Sequence, residues 1–505
     1  MIAALALAAV VFVPLDDRPV TAQLPQMLGT IAGVRVESPP PSLLGHYLQP
    51  GRPDAIVRWL NQQAVNKDNR AFVVSSDMLA YGGLLASRIP DTSYADAYFR
   101  LNELAQLRRQ RPDAWIGVFG TIMRLAPTGV PADVNYFAPY PAWSYLQQYA
   151  NLHDPMLPSE EARAARLRAL IGSTTLDAYL SARARNLGID RRLLALVAGG
   201  DADRLVLGQD DAGPVGLHVP ETALLQQTVQ DDAALRERVS IEPGADELGM
   251  ALVAHAIALR AKWRPRIAVR YSTPNGASFQ DPLEFAPISD AIGHLISLCG
   301  GVPDQVDPQI VLYVRVPGTT AAQDDAFVAA MSSDAAAGRS VALADLSFLR
   351  SYVSQAEFAQ RILLSGLASK LDAYSSWNTN ANTVGTALAE AVAAGAGRRL
   401  GTYDALAHRT FTLVRFADDF AFHDFVRPDL NATLNAQGVT DHTLLEPGIA
   451  RSTAQRDRAL LWTRVQGIVA LLDPGYHIAA LDIGLPWSRT FETSIGIAIA
   501  PNLAR

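Results

Sequence analysis

Short apolar runs recur along the chain, and each leads into a cluster of polar residues. They cover residues 10–13, 71–74, 115–119, 205–207, 239–241, 266–270, 310–314, 340–343 and 371–373. Between them lie segments of helical periodicity, among them 98–109, 160–170 and 246–259. Such alternation predicts an α/β fold, a mostly parallel sheet covered by helices. The polar residues gather after the strands, as they do in a (β/α) barrel or an open doubly wound sheet. The expectation is a barrel-like catalytic core over 1–385. Nine runs are one too many for an eight-stranded barrel, so a Rossmann-like insertion is expected around 266–345. From about 386 the pattern becomes Ala-rich and helical, as in 386–394 and 457–472, and a β-like tail follows at 477–481 and 493–500. Residues 386–505 are therefore expected to form a C-terminal helical region with a small β tail.

Hydrophobic residues make up 49% of the 505 residues and charged ones 18%, which fits an ordered chain able to bury a large core. The formal net charge of -7 leaves no basic excess to meet phosphates, so nucleic acid is not an expected partner. No P-loop and no GxGxxG follows a strand, and no cofactor is expected. The lone Cys299 rules out an internal disulfide and, in its apolar surroundings, reads as a buried structural thiol. Residues 1–13 are almost wholly apolar yet too short to span a bilayer. Ala6-Leu7-Ala8 is similar to a signal-peptidase site but has no basic segment before it, which leaves both a cytoplasmic and an exported location open.

The strongest candidate chemistry is Asp210-Asp211, where an apolar strand runs into Gly208 and breaks at Gly213-Pro214. Two close carboxylates push their pKa values apart, leaving one protonated near neutral pH. Glycoside cleavage needs one acid for the leaving oxygen and one anion for the developing positive charge. Metal binding and loop fixing are the competing readings. Asp16-Asp17-Arg18 follows the first run and can form an internal ion pair or bind ligand hydroxyls. Asp77 follows the second, and either binds a ligand or caps a helix. Arg124, Asp246, Glu247 and Tyr271 stand after later runs. Trp377, Asn378 and Asn382 offer an apolar platform with amide donors and acceptors, or else form a capped turn. Asp419 and His423 stand at i,i+4, a spacing that can hold a metal; with no third ligand evident, an exposed helix-face ion pair is expected.

The segments Pro14-Leu15-Asp16-Asp17-Arg18-Pro19, Ser76-Asp77-Met78, Ile122-Met123-Arg124, Leu207-Gly208-Gln209-Asp210-Asp211, Asp246-Glu247 and Trp377-Asn378-Thr379 resemble a bacterial family known as domain of unknown function 4127. The match runs over nearly the whole chain and implies no activity. A strand ending in paired Asp with a later Trp-Asn segment also resembles the barrels of substrate-assisted N-acetylhexosaminidases, such as glycoside hydrolase family 84. That resemblance implies that Asp210 orients the acetamido group and Asp211 is the general acid/base, with Trp377, Asn378 and Asn382 lining the sugar pocket. The expected function is a retaining glycoside hydrolase acting on an N-acetylated amino sugar. Two alternatives compete with it. One is a metal-dependent hydrolase of phosphate, amide or ester substrates, using Asp16, Asp17, Asp77 and Asp210 as ligands. The other is a non-catalytic carbohydrate-binding protein.

Overall fold

In the computed structural model, which describes residues 9–128, 140–282, 284–349 and 354–502, all nine apolar runs contribute to parallel strands. Ala6-Leu7-Ala8 lies outside the described residues. The strands are divided between two sheets. The first contains β1 (Ala9–Val13), β2 (Val36–Glu37), β3 (Asn69–Ser75), β4 (Trp115–Ile122), β5 (Arg204–Gln209) and β6 (Val239–Pro243), in the order β2-β1-β3-β4-β5-β6. The second contains β7 (Arg266–Tyr271), β8 (Val302–Pro303), β9 (Ile310–Arg315), β10 (Ser340–Asp345) and β11 (Ala373–Ser375), in the order β11-β10-β9-β7-β8. The α/β class with parallel strands therefore stands, but two open sheets take the place of one closed barrel. The run at 266 opens the second sheet instead of extending the first.

Both sheets share one plan. Each starts on an inner strand, adds a two-residue strand on one side, then crosses to the other side and continues outward. This is the doubly wound order 2-1-3-4-5, with a sixth strand in the first sheet. Right-handed crossovers in such an order put helices on both faces, and ligands bind at the carboxyl ends of the strands.

The chain forms two compact units. The first comprises Met1–Asp17, Arg35–Leu252 and Gln280–His294; the second comprises Arg18–Val34, Val253–Phe279 and Leu295–Arg505. In the first unit β1 is wholly buried, and Phe12 stacks with Phe119 of β4 at a ring separation of 6.4 Å. In the second, the helix Asn380–Leu400 is buried over nearly its whole length, which its Ala and Gly content allows by presenting little side-chain bulk. The C-terminal helices end with Pro447–Leu472, and the tail is an antiparallel pair, β12 (Tyr476–Gly484) and β13 (Ser494–Pro501). No helix among the described residues is long and apolar enough to cross a membrane. Cys299 is buried, in agreement with a structural thiol.

Gly208 fixes how closely the loop after β6 can approach β5. A Cβ there would lie 2.2 Å from the Gly244 carbonyl oxygen and 2.6 Å from a Leu248 methyl. Gly208→Ala is expected to cost about 1–3 kcal/mol in unfolding stability, the usual range for overpacking. Chemical denaturation measures this, and a loss under about 0.5 kcal/mol would show that the 244–248 loop yields freely.

Candidate functional site

The site grows from the carboxyl edge of the first sheet. β3 runs into a short helix, Ser76–Ala80, whose first turn is capped by the Ser75 hydroxyl accepting the Met78 N–H at 3.2 Å. This turn holds Asp77, which is buried. Thr121 of β4 donates to both carboxylate oxygens, through its N–H at 2.9 Å and its hydroxyl at 3.0 Å. The Asp77 carbonyl in turn accepts the N–H groups of Tyr81, Gly82 and Gly83 at 2.9, 3.1 and 3.1 Å. Gly82 and Gly83 have φ of 96° and 127°, a backbone that side chains with a Cβ rarely adopt.

Burial pushes the Asp77 carboxyl up to about 7; the Thr121 hydrogen bonds oppose this, and the charge of Asp210 adds to it. The sign of the pH dependence follows. Between the ordinary 3.8 and about 7 the folded chain keeps this proton and the unfolded chain has lost it. Stability therefore falls as pH rises through that window, with a slope of up to about 1.4 kcal/mol per pH unit from this group. Asp77→Asn is expected to remove that slope when denaturation midpoints are compared at pH 5 and pH 8; an unchanged slope would mean that Asp77 is ionised throughout.

β5 ends at Gln209, whose amide donates to the carbonyls of Ile122 at 3.3 Å and Asp210 at 3.2 Å, while its oxygen accepts from Thr222 at 3.1 Å. Gln209 thus anchors the turn that presents the two carboxylates. Asp210 is ion-paired through Oδ2 with Arg88, and both side chains are under one-tenth exposed. Arg88 also donates to the Thr128 hydroxyl at 2.9 Å. Asp211 has a φ of 24°, in the left-handed region, which turns its side chain away from the strand's alternation. It faces Arg124 at 3.4 Å and is 37% exposed. Its pKa is raised by burial and then by Asp210, against the opposing charges of Arg124 and Arg88. Arg124 is steadied by a hydrogen bond from Nε to the Ala126 carbonyl at 2.8 Å. Asp77, Asp210, Asp211 and Arg124 thus share the carboxyl edge of β3, β4 and β5.

The other expected residues of the first unit follow β1 and β6, and all but Asp17 are buried. Asp16 is buried, and Asp17 pairs with His46 at 2.6 Å. Asp246 and Glu247 follow β6; burial, then the charges of Asp246 and Glu284, hold Glu247 well above the usual carboxylate range.

The remaining expected residues belong to the second unit. Arg18 is buried, with its guanidinium 4.8 Å from the centre of the Trp487 ring. Tyr271 ends β7. Trp377 is buried, not an open platform, and its indole N–H donates to Thr386 at 3.3 Å. Asn378 has a φ of 57°. Asn382 lies in the first turn of the helix Asn380–Leu400, which Thr379 caps by accepting the Asn382 N–H at 3.4 Å. The capped turn is therefore present, and it leaves the buried Asn382 side-chain oxygen with no hydrogen-bond partner.

A further expectation is overturned. Asp419 and His423 do not form an exposed ion pair, because both are buried and the segment Phe416–Val426 is a π-helix. Its wider i→i+5 repeat aligns His423 with Asp418 instead, at 3.7 Å. Asp419 accepts the Ser376 N–H at 2.7 Å and lies 3.2 Å from Arg415. Sequence reasoning also missed Arg88 and Thr128, whose roles depend on partners distant along the chain.

Among the described residues no group of three or more His, Cys, Asp and Glu side chains is placed to hold a metal ion. The arrangement is that of an α/β protein with two doubly wound parallel sheets and a buried acid–arginine cluster at the carboxyl edge of the first. The chain belongs to the family described as protein of unknown function (DUF4127), whose model matches residues 10–496. No curated protein and no solved structure matches it.

Proposed function

We propose that the protein is a retaining glycoside hydrolase acting on an N-acetylated amino sugar, with Asp210 and Asp211 as its working pair. The observation that carries this reading is the asymmetry of the two carboxylates. Arg88 holds Asp210 as a buried anion, whereas burial and the Asp210 charge favour the protonated form of the more open Asp211. One anion beside one acid is the combination that glycosidic cleavage uses. Open sheets replace the barrel of the enzymes whose paired Asp this resembles, so the reading rests on the pair and not on the fold.

In the proposed reaction Asp211 gives its proton to the glycosidic oxygen as the bond from C1 to that oxygen breaks. The acetamido carbonyl oxygen forms the new bond to C1, and Asp210 accepts the hydrogen bond of the acetamido N–H as positive charge develops there. The Asp211 carboxylate then takes a proton from water, whose oxygen bonds to C1 and releases the acetamido group.

Release of 4-methylumbelliferone from a panel of aryl glycosides, N-acetylated and not, tests the proposal, with EDTA in parallel. Turnover of an N-acetylhexosaminide that survives EDTA and is lost in Asp211→Asn supports it. Activity that EDTA abolishes would instead support metal-dependent hydrolysis, and absence of turnover across the panel would count against the reading.

A further inference from the structure

The second unit has an open pocket of about 560 Å³ beside the amino end of β11. This is the edge of the sheet opposite the one where ligands of such folds usually lie. Its wall takes Lys370 from the turn before β11, Arg398 from the last turn of the helix Asn380–Leu400 and Tyr403 from the loop that follows. His408 and Arg409 come from the helix Ala405–Arg415. We propose that this pocket is a second binding site, for a phosphate group, free or carried by a small molecule, held by Lys370, Arg409 and Tyr403. The assignment stands on the pocket's own groups and not on Asp210 and Asp211.

The wall is rich in donors that the protein itself leaves open. Asp372 is the one acid among its described residues, and Arg398 holds both of its oxygens, at 2.6 and 2.7 Å. Arg409 gives its Nε to Asp473, and its guanidinium stands 5.7 Å from the centre of the Tyr476 ring. That leaves the terminal nitrogens of its fork without a hydrogen bond among the described residues, on a side chain that is 32% exposed. Lys370 is exposed and has no ion-pair partner among the described residues.

Tyr403 supplies the third donor. Its oxygen stands 2.8 Å from Nδ1 of His408, whose Nε2 donates to the Asp372 carbonyl at 2.9 Å. Burial works against a charge on His408, but the hydrogen bond and charge of Glu390, 3.5 Å away, outweigh it and raise the imidazole to about 9. Near neutral pH both ring nitrogens therefore carry hydrogen, and Nδ1 donates to Tyr403. Arg398 approaches the same oxygen as a second donor, at 3.5 Å. The phenolic hydrogen is thus free for a ligand in the pocket that Tyr403 lines.

An ammonium, a guanidinium fork and a phenol hydroxyl, set on three separate segments of chain, call for an anion with several acceptor oxygens. A phosphate group has at least three, and a carboxylate only two. The pairs Arg398–Asp372, His408–Glu390 and Arg409–Asp473 balance their own charges, so Lys370 supplies the net positive charge. Affinity in so open a site is accordingly modest and weakens with salt.

Calorimetric titration of the full chain with inorganic phosphate and with glycerol 3-phosphate, near pH 7 in a phosphate-free buffer of fixed ionic strength, provides the test. Acetate and glycerol are the controls. At least one of the two phosphates is expected to bind about tenfold more tightly than acetate, and glycerol not at all. Tighter binding of glycerol 3-phosphate assigns the site to an ester, and tighter binding of phosphate assigns it to the free anion. Lys370→Gln, Arg409→Gln and Tyr403→Phe should each weaken binding about fivefold or more. Lys370 is exposed, so its variant keeps the test valid even if Arg409→Gln, which strips Asp473 of its partner, fails to fold. Lys67→Gln, at an exposed lysine of the first unit, should leave the affinity unchanged. Absence of binding by both phosphates overturns the proposal, as does acetate binding equally well. Equal affinity of Lys370→Gln and Lys67→Gln would do the same, because attraction to general charge would then account for the binding.

Discussion

Arg88→Met is expected to destabilise the first unit by about 3–5 kcal/mol, the usual cost of leaving one buried charge without its partner. Arg88 and Asp210 are 5% and 7% exposed at their side chains, so little water can replace the lost guanidinium. The substitution also removes the donor to the Thr128 hydroxyl. The double variant Arg88→Met, Asp210→Leu should recover much of the loss, since both charges then leave the interior together. Urea unfolding of the three chains measures the effect. A single-variant loss below about 1 kcal/mol would place Asp210 in contact with water and undercut its role as a held anion.

Asp211→Asn should lower turnover of a responsive glycoside by about 10²–10⁴-fold, the span usual for loss of a general acid–base group. Its effect on folding should be small, because Asp211 is more than a third exposed and its Arg124 pair is long at 3.4 Å. Loss of turnover with stability kept is the combination expected of a group that acts on substrate. In the unmutated chain the raised Asp211 pKa sets the direction of the pH dependence: activity falls as pH rises through that pKa, because the acid loses its proton. The Asn variant should lack this alkaline limb. Equal loss of activity and stability would instead assign Asp211 to fixing the loop.

The strands were legible because each is a short apolar run bounded by polar residues, and every such run lies in or overlaps a strand. β2 and β8 were not, since each has two residues and neither a buried run nor an alternation can show over that length. The division into two sheets was hidden for a different reason. A buried run at 266 looks like one at 239, and which neighbour it pairs with is decided by contacts far along the chain. The acidic tip of β5 could be read directly from Asp210-Asp211, but its arginine could not: Arg88 is 122 residues away from Asp210. One helix pair was misread through a period. Asp419 and His423 fall on one face of an ordinary helix, whereas the π-helix sets His423 against Asp418 and buries the face that was expected to be open. Burial turned Trp377 from an open platform into a core side chain, with its N–H already occupied by Thr386.

The role of Asp211 as the acid is tested most directly by a series of aryl N-acetylhexosaminides with leaving groups of graded pKa, assayed with the unmutated chain and Asp211→Asn. A departing phenol of low pKa needs little help from an acid, and one of high pKa needs much. With Asp211 as the acid, the variant is expected to retain most of its kcat/KM, which reports the bond-breaking step alone, on the best leaving group and to lose progressively more as leaving-group pKa rises, while its kcat stays low throughout because the same carboxylate activates water in the second step. A loss of kcat/KM of the same size across the whole series would contradict that role, because the carboxyl would then serve binding or loop structure and not proton transfer to the departing oxygen.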